Sequence, residues 1–166
     1  MEVAKGALFY EDLTVGMRFE TSRRTVTEAD LVRFAGVSGD FNPLHTDEEF
    51  AKTTLFGRRI AHGTLVLAIS QGLRQTAGHF HGTLMALLEI RSWRFLKPVF
   101  IGDTVGVVTE VGELRVTSQP DRGIVVQRIQ ITNQRREVVQ EGELVSLIRR
   151  IAQDSGAPDA KLRSTY

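Results

Sequence analysis

Two of the four histidines in this 166-residue chain keep company that suggests chemistry. His45 closes the run Ser38-Gly39-Asp40-Phe41-Asn42-Pro43-Leu44-His45, and His62 stands between Arg58-Arg59-Ile60-Ala61 and Gly63. Asp40 and His45 lie five positions apart, which on a continuous helix would point them about 140° away from each other. Gly39 and Pro43 instead make the segment a turn or irregular loop, able to curl both side chains toward one point. A carboxylate beside an imidazole supplies an acceptor and a tunable donor near neutral pH, as general acid–base chemistry on a water requires. Asn42 adds an amide that can bond the loop or a substrate. A plainer reading has Asp40 and Asn42 forming Asx turns and His45 as a satisfied, half-buried histidine, and composition alone favours it.

Composition narrows what other chemistry is open. The chain has no cysteine, which removes disulfides, thiolate nucleophiles, Cys-ligated zinc and iron–sulfur clusters together. Lysine plus arginine number 21 against 20 for aspartate plus glutamate, so a net charge of +1 gives no field to gather polyanions, and nucleic acid is not an expected partner. Hydrophobic residues at 42% suffice for a single-domain core. With no membrane-length apolar run and no leader pattern, a soluble, cytoplasmic protein without a membrane partner is expected. His79 and His81 form a His-x-His pair lacking a third ligand at useful spacing, read as a solvated loop, so no metal is expected. Arg91, Arg94 and Lys97 read as an exposed face, and Trp93 and Phe95 as core or interface residues.

The elements that must position these residues divide the chain into a helical first half and a β-rich second half. Met17 to Val26 reads as a short strand. Thr27-Glu28-Ala29-Asp30 opens a helix that ends near Gly36–Gly39, and Thr46 with Glu49 forms a second capping box for a short helix. Gly63 to Ala77 reads as a helix, apolar over most of its circumference in its first three turns and therefore one that its surroundings must wrap. Four strands follow, Leu84–Lys97, Thr104–Thr117, Arg122–Asn133 and Glu137–Ile151, with Val105, Val107, Thr109 and Val111 on one face by alternation. Their short connections predict an antiparallel meander, so the fold class is α+β, a long central helix cradled by an antiparallel sheet. Residues 1–8 are an N-terminal lead, 9–151 one domain, and 152–166 a polar, mobile tail.

The run Phe34 to His45, with Thr46-Asp47-Glu48-Glu49-Phe50-Ala51 after it, resembles the signature of the MaoC-like (R)-specific enoyl-CoA hydratases. The likeness continues through Phe56-Gly57-Arg58-Arg59-Ile60-Ala61-His62-Gly63 and through Trp93 to Val105, covering roughly residues 9 to 150. Thr64 departs from it, standing where many relatives carry Met. The resemblance implies a hot-dog fold, usually dimeric, acting on acyl-CoA in fatty acid metabolism without a cofactor. It implies Asp40 and His45 as the catalytic pair and Asn42 as a supporting residue. The backbone N–H of Gly63 would receive the thioester oxygen, at a helix start where unpaired N–H groups converge. His62 shapes that helix start or contacts substrate. Arg58 and Arg59 either meet coenzyme A phosphates or form a solvated pair. A non-catalytic acyl-thioester-binding protein and a thioesterase are the rival expectations. The thioesterase is disfavoured because no Asp or Glu falls between Gly63 and Ala77. Chain length, branching, coenzyme A versus acyl-carrier protein, and which of Asp40 and His45 is the acid and which the base stay open.

Overall fold

The computed structural model describes residues 3–151, so Met1, Glu2 and the expected tail at 152–166 lie outside the described residues. Helix α1 (Glu28–Ser38) forms where its capping residues predict, with the Asp30 carboxylate accepting the N–H and hydroxyl of Thr27, each at 2.8 Å. It stops at Gly39, whose φ of +75° is the left-handed conformation a glycine takes without a Cβ clash. Two short helices follow, α2 (Pro43–Thr46) and α3 (Glu48–Lys52). Here the expected cap is corrected. Asp47 caps α3 by accepting the Phe50 N–H at 3.0 Å, because the Thr46 hydroxyl is turned back onto the carbonyls of Phe41 and Asn42.

The expected strand at Met17–Val26 is broken into β1 (Arg18–Glu20) and β2 (Arg24–Thr25), both antiparallel to β4 (Thr104–Val116). Between them the Thr21 hydroxyl accepts the Val107 N–H at 3.0 Å, and Arg23 donates to the carbonyls of Thr104 and Asn133. Side chains thus take over ladder positions that main chain would otherwise fill. The other strands are β3 (Leu84–Phe95), β5 (Arg122–Thr132) and β6 (Val138–Arg149), and the sheet order is β1-β4-β5-β6-β3. The meander therefore holds only for β4 to β6, and β3 lies at the opposite edge, beside β6. The connection from β3 to β4 causes this. Leu96 and Lys97 donate to the Val139 carbonyl, the Val99 carbonyl accepts the Ala61 N–H at 2.7 Å, and Gly102 donates to Val26, so the segment crosses from one edge to the other.

Helix α4 (Gly63–Thr76) lies on one face of this sheet and buries Leu65, Val66, Ile69 and Leu73 among Val105, Val107, Ile129, Ile131 and Leu144. The alternation on β4 is as expected, with Val105, Val107, Thr109 and Val111 all buried. The helix is not wrapped all round, however: Thr64, Ala68, Gly72 and Thr76 form an exposed stripe. These residues recur every fourth position, the helical repeat, and their small size makes the helix look more uniformly apolar than it is. Beyond the far end of α4, Tyr10 and Leu13 pack with Val111, Val125 and Ile148, and Leu8 donates to the His79 carbonyl. No helix among the described residues is long and apolar enough to cross a membrane.

Candidate active site

The loop between α1 and α2 brings Asp40 and His45 together with His62. One nitrogen or carboxylate oxygen from each lies within 4.8 Å of the others. Asp40 carries both of the readings weighed from sequence. Its Oδ1 accepts the Asn42 N–H at 3.2 Å, an Asx turn, while its carboxyl still lines the cavity described below. Asn42 caps α2 by accepting the Leu44 N–H at 3.0 Å and so supports the loop. The Nδ1 of His45 lies 2.8 Å from the Ile60 carbonyl. A carbonyl only accepts, so Nδ1 carries the hydrogen and the lone pair of the neutral ring is on Nε2.

His62 is buried, precedes the first residue of α4, and donates from Nε2 to the backbone carbonyl of Asp40 at 3.0 Å. Its ring is stacked on His45 with centroids 3.8 Å apart and is backed by Phe34. Its Nδ1 is buried without a partner among the described residues. The Asp40–His45–His62 grouping is compact enough for a metal ion. Two of its four imidazole nitrogens are already held by carbonyls, however, one on each ring.

These residues open onto a cavity of about 460 Å³, with Phe56, Ile60, Gly63, Phe95, Val99 and Gln140 among its walls. That volume falls in the range of small-molecule sites, and the mix of apolar walls with a few convergent polar groups is typical of them. The Gly63 N–H faces no backbone or side-chain acceptor among the described residues, as the first turn of a helix dictates. Arg58 and Arg59, by contrast, part company. The Arg58 guanidinium sits 3.9 Å over the Phe100 ring. Arg59 is engaged by two carboxylates, bidentate to Glu28 at 2.8 Å and bonded to Glu48 at 2.9 Å, and these bonds raise its pKa and lower that of Glu28. Its donors therefore tie α1 to α3. His79 packs on Phe19, and His81 lies within reach of Gln75, away from this cavity. Gln140, Phe95 and Phe56 were not anticipated as wall residues. Only the pairing of β3 with β6 brings the first two beneath the start of α4.

A single long helix laid on one face of an antiparallel sheet is the hot-dog fold. The MaoC like domain matches residues 12–133, and the chain belongs to that family. It is 39% identical over 107 residues to a 3-hydroxybutyryl-CoA dehydratase of Methylorubrum extorquens, covering 64% of this chain and 66% of that protein. It is 34% identical over 140 residues to an (R)-specific enoyl-CoA hydratase of Rhodospirillum rubrum, covering 84% of this chain and 91% of that one. A solved structure described as a monoamine oxidase regulatory protein from Archaeoglobus superposes with a TM-score of 0.83 at 38% identity, over 91% of this chain and 100% of the other.

Proposed function

We propose that this protein reversibly adds water across the double bond of trans-2-enoyl-CoA thioesters to give (R)-3-hydroxyacyl-CoA. The observation that carries the reading is the Nδ1–H bond from His45 to the Ile60 carbonyl, which leaves Nε2 as the basic nitrogen of a ring grouped with Asp40. A water held between the two loses a proton to His45 Nε2 as its oxygen bonds to C3. The π electrons move toward C1, and negative charge gathers on the thioester oxygen. The Gly63 N–H, at the positive end of α4, is the donor for that oxygen, a contribution of about 3–4 kcal/mol to the barrier. C2 then takes a proton from the Asp40 carboxyl, and the proton on His45 returns to Asp40. Both groups stand on one side of the substrate, so water adds to one face. The scheme needs no metal or redox cofactor. The reading includes a second copy paired on the open edge of β3.

Asp40→Asn and His45→Ala should each lower kcat for a short enoyl-CoA by about 10²–10⁴-fold with unchanged far-ultraviolet circular dichroism. Near-wild-type turnover by both variants would sink the assignment. The regulatory description of the Archaeoglobus neighbour favours one rival, a non-catalytic acyl-thioester-binding protein. Thermal stabilisation by an enoyl-CoA with no loss of enoyl absorbance would support that rival.

A further inference from the structure

Strand β3 is irregular where it passes the start of α4. Its register with β6 shifts between Arg91 and Arg94, and Ser92 sits at φ +51°, a left-handed conformation that a residue with a Cβ keeps only when its surroundings enforce it. Bulges of this kind re-aim the side chains beside them. Here the irregularity lays the Trp93 ring against Gly142, so closely that a Cβ at 142 would stand 2.5 Å from it. The Trp93 Nε1–H then donates to Oε1 of Gln140 at 3.1 Å, and Nε2 of Gln140 donates to the Gly63 carbonyl at 3.0 Å. Gln140 is only 2% exposed. An indole N–H can only donate and a carbonyl can only accept, so the amide cannot turn over without losing both bonds. Two residues beyond Trp93, the Phe95 ring closes on the other side of Gly63, 2.6 Å from where a Cβ would be.

We propose that Trp93 and Gln140 form a positioning relay that fixes the first turn of α4, and with it the direction of the Gly63 N–H. The inference rests on the function proposed above, in which that N–H receives the thioester oxygen. The first N–H groups of a helix have no partner one turn back to set their direction, so an outside anchor matters most there. A donor aimed at developing charge acts only while held in place, and small displacements are costly in rate. Gln140 is thus a positioning residue. It acts through Gly63.

The test compares Gln140→Met and Trp93→Phe with Gln127→Met in the intact protein. Gln127 is a second buried glutamine, bonded to Arg74 toward the other end of α4. Gln140→Met should lower kcat at least tenfold with KM within about threefold of wild type. Trp93→Phe keeps an aromatic ring at this position, removes the indole N–H donor together with part of the ring, and should lower kcat about threefold. Gln127→Met should leave kcat unchanged whatever it does to the melting temperature. If Gln140→Met does not fold, Trp93→Phe decides. An active wild type with kcat within twofold in the folded relay variants overturns the relay and leaves the function standing. A wild type that hydrates no enoyl-CoA overturns the function. The relay is then read from acyl-CoA binding by calorimetry, where a threefold or larger weakening by Gln140→Met supports it and unchanged affinity overturns it.

Discussion

At Gly63 two effects of a methyl group oppose each other. Alanine in place of glycine favours a helix by up to about 1 kcal/mol. The new Cβ would lie 2.6 Å from the Phe95 ring. Phe95 is more than half exposed, so its ring can swing away and relieve the clash, but the space it swings through is the cavity it lines. Gly63→Ala should therefore melt at or above the wild-type temperature while kcat/KM falls more than tenfold. Thermal denaturation and steady-state kinetics on one preparation check both halves, and unchanged kcat/KM would contradict the argument. That Asp40, His45 and Gly63 come together was legible because the runs that carry the family resemblance are short and local. The parts played by Arg59 and Gln140 were not. Glu28 lies 31 positions before Arg59, and Gly63 lies 77 positions before Gln140, so no local pattern carries either pairing.

Helices α1 and α3 meet through Arg59, and this contact makes part of the stability depend on pH. Hydrogen bonds from Arg59 hold the Glu28 carboxyl below its usual range. A carboxyl with a lowered folded pKa contributes its stabilisation above its unfolded value, about 4.3 for glutamate, and loses it as pH falls through the folded value. Glu28 is half exposed, so solvent screening keeps the effect small. Glu28→Gln should cost about 0.5–1 kcal/mol at pH 7, with the gap to wild type closing once the pH is well below 4.3. Urea denaturation at pH 7 and at pH 3 measures this, and an equal gap at both would refute it. Helix boundaries were readable from Thr27, Gly39 and Gly63, and β4 from its alternation, because caps and two-residue periods are local. The position of β3 was not readable. Sheet order depends on where the 96–103 connection crosses, and main-chain bonds to Val139, Ala61 and Val26 decide that.

For the molecule as a whole, the outer edge of β3 has no partner strand among the described residues, and Leu84, Met85, Leu87, Leu88 and Ile90 are exposed along it. A long apolar edge is a template for pairing with another chain. Light scattering behind size exclusion should give at least twice the chain mass of 18.5 kDa. Leu88→Lys combined with Ile90→Lys should shift the protein toward the monomer, whereas a monomeric wild type at micromolar concentration would rule the pairing out. The same strand carries Trp93 and Phe95, so pairing there would also brace the start of α4. A different consequence follows from how the two histidines are gripped, by the carbonyls of Ile60 and Asp40. Every amino acid brings the same carbonyl. Ile60 lines the cavity, and its side chain is free to change without loosening His45. Under the proposed function, the pocket can thus be re-lined over evolutionary time, and its substrate range can drift, while Asp40 and His45 keep their aim.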